Sequence, residues 1–230
     1  MQRPYILVNV AMSADGKLDY TARKGTTLSS SADKARVDRL RAGMDAVLVG
    51  GRTLLDEDPK LTVKSATLRQ ERKDNGLDEN PAKVGLVSLA DLKLDGNFMS
   101  AGSARRLIYT TRRTTSDMIS SLENAGAQVF VTGEKRVEIA SALESLHKQG
   151  IRRILVEGGG TIIAEFFRLG LVDELTMYIA PTIFGGANAP TLADGPGFQT
   201  GQAPTLRLEA AEEFDDDGGV FLRYMVERKE

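Results

Sequence analysis

Short apolar runs alternate along the chain with helical stretches. YILVNVAM (5–12) and DAVLVGG (45–51) are almost continuously apolar, as strands are when both faces of a parallel sheet are covered. SSSADKARVDRLRAG (29–43) begins with serines and ends in glycine, which is typical of a capped helix. VEIASALESLHKQG (137–150) places its isoleucine and leucines on one helical face. The alternation predicts βα units.

The rest of the chain follows the same pattern and ends in a hairpin. Further strands are predicted at KVGLVSL (83–89), RRLIYT (105–110), AQVFVTG (127–133), RILVEGGG (153–160) and ELTMYIAP (174–181), and further helices at TTSDMISSLENAG (114–126) and TIIAEFFRLG (161–170). The tail, 206–228, predicts two antiparallel strands joined by DDDGG, and the polar stretch 65–81 predicts a surface loop. We therefore expect one α/β domain over residues 1–230, with a mixed, mostly parallel sheet, helices on both faces and a C-terminal antiparallel hairpin.

Composition excludes several classes of protein. The 230 residues contain no cysteine and one histidine, which excludes disulfides, thiolate nucleophiles, cysteine zinc sites and multi-histidine metal centres. That histidine, His147, lies near the end of a predicted surface helix, which argues against a Ser-His-Asp triad. A net charge of −2 gives no general attraction to nucleic acid or anionic membranes, and no apolar run approaches the roughly 20 residues that span a bilayer. Because Met1–Tyr5 leads directly into a strand, we expect no signal peptide and a cytoplasmic protein.

Two predicted strands end in glycine turns, VLVGGRTLLDEDPKLT (47–62) and LVEGGGTIIAEFF (155–167). Neither turn contains the Rossmann or Walker glycine pattern. Open α/β sheets bind ligands at the carboxyl ends of their strands, and a glycine turn before a helix offers backbone N–H groups to a phosphate. From the pattern alone, a plain packing turn and an anion site are equally open interpretations.

Charged residues near the first glycine turn also allow two interpretations. Asp56–Asp58 could hold a hard cation through carboxylate oxygens, but such a run before Pro59 is more often a solvated loop, so we predict no metal. Arg41 and Lys64 flank the turn, and paired cations suit a phosphorylated substrate. Ordinary surface charge is the alternative for both.

Taken in order, these motifs resemble the riboflavin-pathway reductases. The matching pieces span residues 5–226 and are NVAMSADGKLD, RLRAGMDAVLVGGRTLLDEDPKLTV, ILVEGGGTII, LGLVDELTMYIAPTIFGGANAPT and DGPGF. No deaminase motif of the H-x-E and P-C-x-x-C kind precedes them, so the chain is similar to the stand-alone archaeal and fungal type. The resemblance implies a dihydrofolate-reductase-like fold, a homodimer and NADPH as cofactor. The implied reaction reduces the ribosyl group of 2,5-diamino-6-ribosylamino-4(3H)-pyrimidinone 5′-phosphate to a ribityl chain.

The resemblance also implies functional residues at matching positions. Cofactor contacts are implied at Thr53, Glu57, Ser88, Gly158, Gly159, Gly160 and Thr161. Substrate contacts are implied at Arg41, Leu61, Lys64 and Glu157, with the two cations nearest the 5′-phosphate. The family often has aspartate where Glu57 stands and an Asp-Ser pair where this chain has Val87 and Ser88. Asn9, Ser13 and Asp15 lie in the first-strand motif without an assigned role.

The residue inventory suits hydride transfer, because the cofactor supplies the chemistry and the protein supplies position and electrostatics. Glu157 is the candidate catalytic residue, as a carboxylate that stabilises a cationic iminium at C1′ or as a hydrogen-bond partner of the substrate. Arg112 and Arg113 are candidates for the 2′-phosphate of NADPH, with exposed surface arginines as the alternative. Two other functions stay open: a dihydrofolate-reductase-type enzyme and a non-catalytic nucleotide-binding module.

Overall fold

A computed structural model describes residues 2–22 and 25–227 of the chain. The strands in these residues are β1 (Tyr5–Ser13), β2 (Ala46–Gly50), β3 (Ala82–Leu86), β4 (Arg106–Thr110), β5 (Gln128–Val131), β6 (Arg153–Gly158), β7 (Glu174–Ala180), β8 (Leu206–Glu213) and β9 (Val220–Val226). They form a nine-stranded sheet in the order β5-β4-β3-β2-β6-β1-β7-β9-β8. Pairing is parallel for β1 with β7 and along β2 to β5, and antiparallel for β9 with β7 and β8. The predicted mixed, mostly parallel sheet and C-terminal hairpin are confirmed.

The helices in the same residues are α1 (Ser31–Ala42), α2 (Ala66–Asp74), α3 (Asn97–Ser100), α4 (Ser116–Asn124), α5 (Ile139–Lys148) and α6 (Gly160–Arg168). The helices predicted at 29–43, 114–126, 137–150 and 161–170 are confirmed as α1, α4, α5 and α6. A π-helical turn, Thr53–Glu57, follows β2 and was not predicted. Among the described residues, none of the helices has the length and apolar character needed to cross a membrane.

The prediction of a surface loop at 65–81 is wrong, because α2 occupies its first half. The Ser65 hydroxyl accepts a hydrogen bond from the amide of Leu68 and caps the helix. The buried residue of α2 is charged. Arg72 is 5% exposed and donates hydrogen bonds to the carbonyls of Ala42, Met44 and Asp78. A helix that buries an arginine shows no apolar period, so the pattern could not reveal it.

The first of two compact units contains residues 38–155 and the N-terminal residues up to Pro4. Strands β2 and β3 are buried along their whole length; the apolar run 45–51 predicts this for β2, whereas β3 also buries the charged Lys83. Leu48, Val84 and Ile108 form the centre of the unit's apolar core, and α5 adds Leu143 and Leu146.

The second unit contains residues 5–37 and 156–230. Its core takes Ile6 and Val8 from β1, Ile163 and Phe166 from α6, and Leu175 from β7. The acidic turn of the β8–β9 hairpin closes with the Gly219 amide donating to the Asp215 carboxylate (2.9 Å). A single domain over residues 1–230 stays a prediction.

Candidate functional site

The first glycine turn packs closely against the neighbouring strand β3. A Cβ atom at Gly51 would lie 3.2 Å from Cγ2 of Val87, just beyond β3. A Cβ at Gly85 of β3 would lie 2.6 Å from Cδ2 of Leu54. Glycine at both positions therefore lets the π-helical turn Thr53–Glu57 lie directly on the end of the sheet.

The π-helical turn presents its residues to opposite sides. Thr53 and Leu54 are buried, whereas Glu57 is exposed. Thr53 and Glu57 are the two implied cofactor contacts on this turn. The first is thus buried in the protein and the second is exposed to solvent. A third, Ser88, is half-buried one residue beyond Val87.

The main chain at Ser88 is held by threonines that follow β4. The Thr111 hydroxyl donates to the Ser88 carbonyl (2.6 Å), and the Ala90 amide donates to the Thr114 hydroxyl (2.9 Å). Thr110 and Thr114 share a further hydrogen bond of 2.6 Å between their hydroxyls. Buried hydroxyl pairs of this kind keep the loop after β3 in one conformation.

Asp58, directly after the π-helical turn, caps α3. Its carboxylate accepts hydrogen bonds from the amides of Asn97 (2.7 Å) and Phe98 (2.8 Å). Asp58 has a left-handed backbone (φ 44°), and a Cβ at Gly96 would lie 2.7 Å from its Oδ2. The carboxylate of Asp58 therefore accepts hydrogen bonds from the backbone of α3.

In residues 2–22 and 25–227 no group of three or more His, Cys, Asp or Glu side chains could hold a metal ion.

Lys83 holds the opposite end of α3. This lysine is fully buried, and its Nζ donates to the carbonyls of Asn97 (3.3 Å), Phe98 (2.9 Å) and Ala101 (2.5 Å). Burial, helped by the nearby charge of Arg106, lowers the pKa of Lys83 to about 8. Asp58 and Lys83 thus tie the π-helical turn and β3 to the two ends of one short helix.

The structure brings three implied substrate residues, Arg41, Leu61 and Lys64, together. Nη1 of Arg41 donates to the carbonyl of Thr62 (3.0 Å), next to Leu61. Leu61 is 2% exposed and has a left-handed backbone (φ 49°), whereas Lys64 is exposed. The Lys64 amide donates to the carboxylate of Asp38 (2.6 Å), one turn before Arg41 on α1. Arg41 thus contacts the segment whose backbone carries Lys64, and the binding of a phosphate by these two cations stays a prediction.

The second glycine turn, Gly158–Gly160, joins β6 to α6 in the other unit. Gly158 has φ 139°, which only glycine adopts readily, and its peptide bond to Gly159 is cis. Gly159 is the N-cap of α6, and no side chain caps the helix there. Glu157, one residue before the turn, is half-buried, and Thr161, one residue after it, is exposed.

Gly160 has a packing reason to be glycine. A Cβ atom there would lie 2.1 Å from the carbonyl oxygen of Thr191. The Gly160 carbonyl accepts from the amide of Asp194 (3.2 Å), whose carboxylate accepts from the amide and hydroxyl of Thr191 (both 2.9 Å). Of the two interpretations of the glycine turn, close packing therefore holds for Gly160, and contacts of Gly158–Thr161 with a cofactor stay a prediction.

The first-strand motif supplies buried polar contacts within the second unit. Asn9 accepts hydrogen bonds from Arg36 (2.7 Å) and Thr176 (2.9 Å), and Arg36 also donates to Asp33 (2.8 Å). Asp33 Oδ2 and Arg36 Nη1 are buried with no hydrogen-bond partner in the described part of the chain. This cluster is invisible in the sequence, because its members come from β1, α1 and β7.

Asp15, from the same motif, anchors a distant loop. Its carboxylate accepts from the Ser13 hydroxyl (2.6 Å) and from the amides of Phe184 (3.1 Å) and Gly185 (2.7 Å). These hydrogen bonds, that of Ser13 first, lower the pKa of Asp15 to about 2. The ring of Phe184 stacks on that of Tyr20, with 3.9 Å between their centroids.

A mostly parallel α/β sheet with glycine turns after its strands is typical of proteins that bind ligands at the carboxyl ends of the strands. The RibD C-terminal domain model matches residues 4–220, and the chain belongs to that family. The predicted family is confirmed.

The chain is similar to curated archaeal proteins over nearly its whole length. It is 40% identical to the 2,5-diamino-6-ribosylamino-4(3H)-pyrimidinone 5′-phosphate reductase of Archaeoglobus fulgidus, over 96% of this chain and 99% of that protein. It is 35% identical to the protein of the same name from Methanothermobacter thermautotrophicus, over 97% and 99%. Among solved structures, the chain shares its fold with a pyrimidine reductase-like protein from Corynebacterium diphtheriae. The two superpose with a TM-score of 0.84 at 22% identity, over 98% of this chain and 93% of that protein.

Proposed function

We propose that the chain is the NADPH-dependent reductase of riboflavin biosynthesis, which reduces the ribosyl group of 2,5-diamino-6-ribosylamino-4(3H)-pyrimidinone 5′-phosphate to the ribityl chain. The observation that carries the proposal is the 40% identity, along almost the full length of both chains, to an archaeal reductase of that name. Hydride transfer from a cofactor needs neither a cysteine nor a set of histidines, which agrees with a chain that has no cysteine and one histidine. Its working compartment in this proposal is the cytoplasm.

The second glycine turn offers groups that suit a phosphate of the cofactor. The first-turn amides of a helix lack intrahelical partners, and no side chain occupies the N-cap of α6 at Gly159. The Ile162 amide already donates to the Gly159 carbonyl (3.1 Å), so the amides of Gly160 and Thr161, with the exposed hydroxyl of Thr161, are the groups that would hold a phosphate of the cofactor. Thr53, Glu57 and Ser88 are also proposed as cofactor contacts. When bound, NADPH supplies the hydride.

Preference for NADPH over NADH is assigned to the arginines after β4. Arg113 is exposed, and Arg112 pairs with Glu134 (2.8 Å) while about three-quarters of each side chain is exposed. An exposed pair can exchange its carboxylate for a 2′-phosphate at little cost. Unchanged preference in an Arg112→Ala, Arg113→Ala variant would dismiss this assignment.

Arg41 and Lys64 are proposed to bind the 5′-phosphate of the substrate. Arg41 keeps one nitrogen on the Thr62 carbonyl, so it also shapes the segment that carries Lys64. Lys64 has its backbone fixed and its side chain exposed, which suits a charge that meets a ligand from solvent.

Glu157 is proposed to act on the sugar. It is half-buried, one residue before the end of β6, and the three residues before it, Ile154–Val156, are buried. A carboxylate in that position stabilises the positive charge that develops when the amino-linked sugar opens to an iminium at C1′. The Glu157→Gln variant should then slow single-turnover reduction by about a hundredfold, with substrate affinity less affected.

The protein is further proposed to be a homodimer. β8 is the last strand of the sheet order and is exposed along almost its whole length. Leu206, Leu208 and Val220 of the hairpin are 36%, 53% and 37% exposed. Exposed edge strands with apolar side chains pair with other chains, so light scattering should give twice the chain mass.

The test of function is NADPH oxidation with three substrates: the diaminopyrimidine ribotide, its deaminated counterpart and dihydrofolate. We expect oxidation with the diaminopyrimidine ribotide, and the ribitylamino product by mass spectrometry. Turnover of dihydrofolate alone would favour the dihydrofolate-reductase alternative. Tight NADPH binding without substrate-dependent oxidation would favour a nucleotide-binding module.

A further inference from the structure

The segment of residues 62–65, between Leu61 and α2, belongs to no helix or strand, yet side chains from elsewhere hold its backbone. Arg41 donates to the carbonyl of Thr62 (3.0 Å), and the amide of Val63 donates to the Asn80 side chain (2.9 Å). Arg69 donates to the carbonyls of Val63 (3.0 Å) and Lys64 (2.7 Å). The conformation of this segment therefore depends on a few particular side chains rather than on a ladder of backbone hydrogen bonds.

Asp38 makes the closest of these contacts. Its Oδ1 accepts from the amide of Lys64 (2.6 Å), and its Oδ2 accepts from the amide of Ser65 (2.8 Å). Asp38 is 7% exposed, so these charge-assisted hydrogen bonds are shielded from water. They are also oriented by α1, on which Asp38 lies one turn before Arg41.

We propose that Asp38 is a positioning residue for the substrate's phosphate: it acts through the backbone of Lys64 and sets where that ammonium group stands relative to Arg41. The inference rests on the proposed function. With the Lys64 backbone fixed through its amide by Asp38 and through its carbonyl by Arg69, only the lysine side chain is left to adjust. A phosphate site assembled in this way has little conformational entropy to lose on binding.

A purely structural role makes a different prediction, and the chain offers a matched comparison. Oδ2 of Asp45, in the same unit, accepts from two consecutive amides, those of Arg152 (2.8 Å) and Arg153 (2.9 Å). These bonds lie at the start of β6 and involve none of the proposed phosphate ligands. If carboxylates of this kind only stabilise the fold, Asp38→Asn and Asp45→Asn should have similar consequences.

The test compares wild type, Asp38→Asn, Lys64→Ala, the double variant and Asp45→Asn. Kinetics are measured with the ribotide and with its dephosphorylated nucleoside. We expect Asp38→Asn to raise KM for the ribotide at least about tenfold, because a small misplacement of a binding group is costly. KM for the nucleoside and for NADPH should change less than about twofold. In the Lys64→Ala background, Asp38→Asn should raise KM for the ribotide little further, because Asp38 acts on the phosphate through Lys64. Asp45→Asn should leave KM for the ribotide within about twofold of wild type.

Equal losses on ribotide and nucleoside, or effects of Asp38→Asn and Lys64→Ala that multiply, would overturn the inference. If Asp38→Asn does not fold, Asp38→Glu keeps the charge but moves it by one methylene, and the same split is expected. Titration with inorganic phosphate separates this inference from the proposed function. A wild type that does not reduce the ribotide refutes the function, whereas phosphate binding weakened by Asp38→Asn and not by Asp45→Asn still supports the positioning role. Phosphate binding equal in both variants refutes it.

Discussion

The two glycine turns resemble each other in the sequence but are secured by different physical means. After β2, side chains secure the turn: the Asp58 carboxylate binds one end of α3 and the Lys83 ammonium group binds the other. After β6, a contact between two backbone segments secures the turn: Gly160 packs against the carbonyl of Thr191, with no room for a Cβ. Glycine in the first turn relieves a slightly short contact, and glycine in the second is a steric requirement.

This comparison teaches that a glycine run has no single meaning. A Cβ at Gly51 would lie 3.2 Å from Cγ2 of Val87, which is slightly too close, whereas a Cβ at Gly160 would lie 2.1 Å from the carbonyl oxygen of Thr191, which is a severe overlap. Three predictions test the difference.

The largest effect is expected for Gly160→Ala. The added methyl group would overlap the Thr191 carbonyl, so either α6 or the loop at 191–194 must move, and we expect a loss of about 3 kcal/mol in the free energy of unfolding. Urea denaturation measures it. Gly51→Ala is the matched control and should cost less than about 1 kcal/mol, because a Cβ 3.2 Å from Val87 needs only a small shift of either residue. Equal losses in the two variants would mean that the turns do not differ as described.

Asp58→Ala should have the next largest effect. It removes two charge-assisted hydrogen bonds and puts alanine at φ 44°, a conformation that aspartate tolerates better, so the free energy of unfolding should fall by about 2 kcal/mol. Asp58→Asn retains an acceptor, and asparagine tolerates the left-handed conformation, so it should recover part of the loss. An alanine variant as stable as wild type would show that the cap does not secure the first turn.

The smallest effect concerns pH and Lys83. Folding lowers the pKa of Lys83 from 10.5 to about 8, so between these values the unfolded chain binds more protons than the folded chain. The free energy of unfolding should consequently rise with pH from about 8 towards 10.5. Below pH 8 Lys83 is protonated in both states, so it should not make stability depend on pH there. Between pH 8 and 9 we expect a gain of about 1 kcal/mol from this group, seen as a shift of the urea midpoint. A Lys83→Met variant with the same pH dependence would contradict the assignment.

Elements with strong local patterns could be predicted, and elements held by side chains could not. The nine strands and helices α1, α4, α5 and α6 show in the sequence because apolar burial repeats with the period of the element. Helix α2 was missed because Arg72, not an apolar stripe, is its buried residue, and α3 is too short to show a period. The resemblance to the reductase family implied the positions of Arg41, Leu61 and Lys64, but not the residues that hold them.

By itself, the sequence determined the βα order, the closing hairpin, the absence of thiol and multi-histidine chemistry, and the family. Tertiary structure alone decided that Asp38 and Asp58 serve backbone amides, which lie 26 and 39 residues further along the chain. It also decided that Gly160 is required by Thr191. The reason is physical: a carboxylate or a missing Cβ has no local signature, because its partner is chosen by the path of the chain through space and not by neighbouring residues.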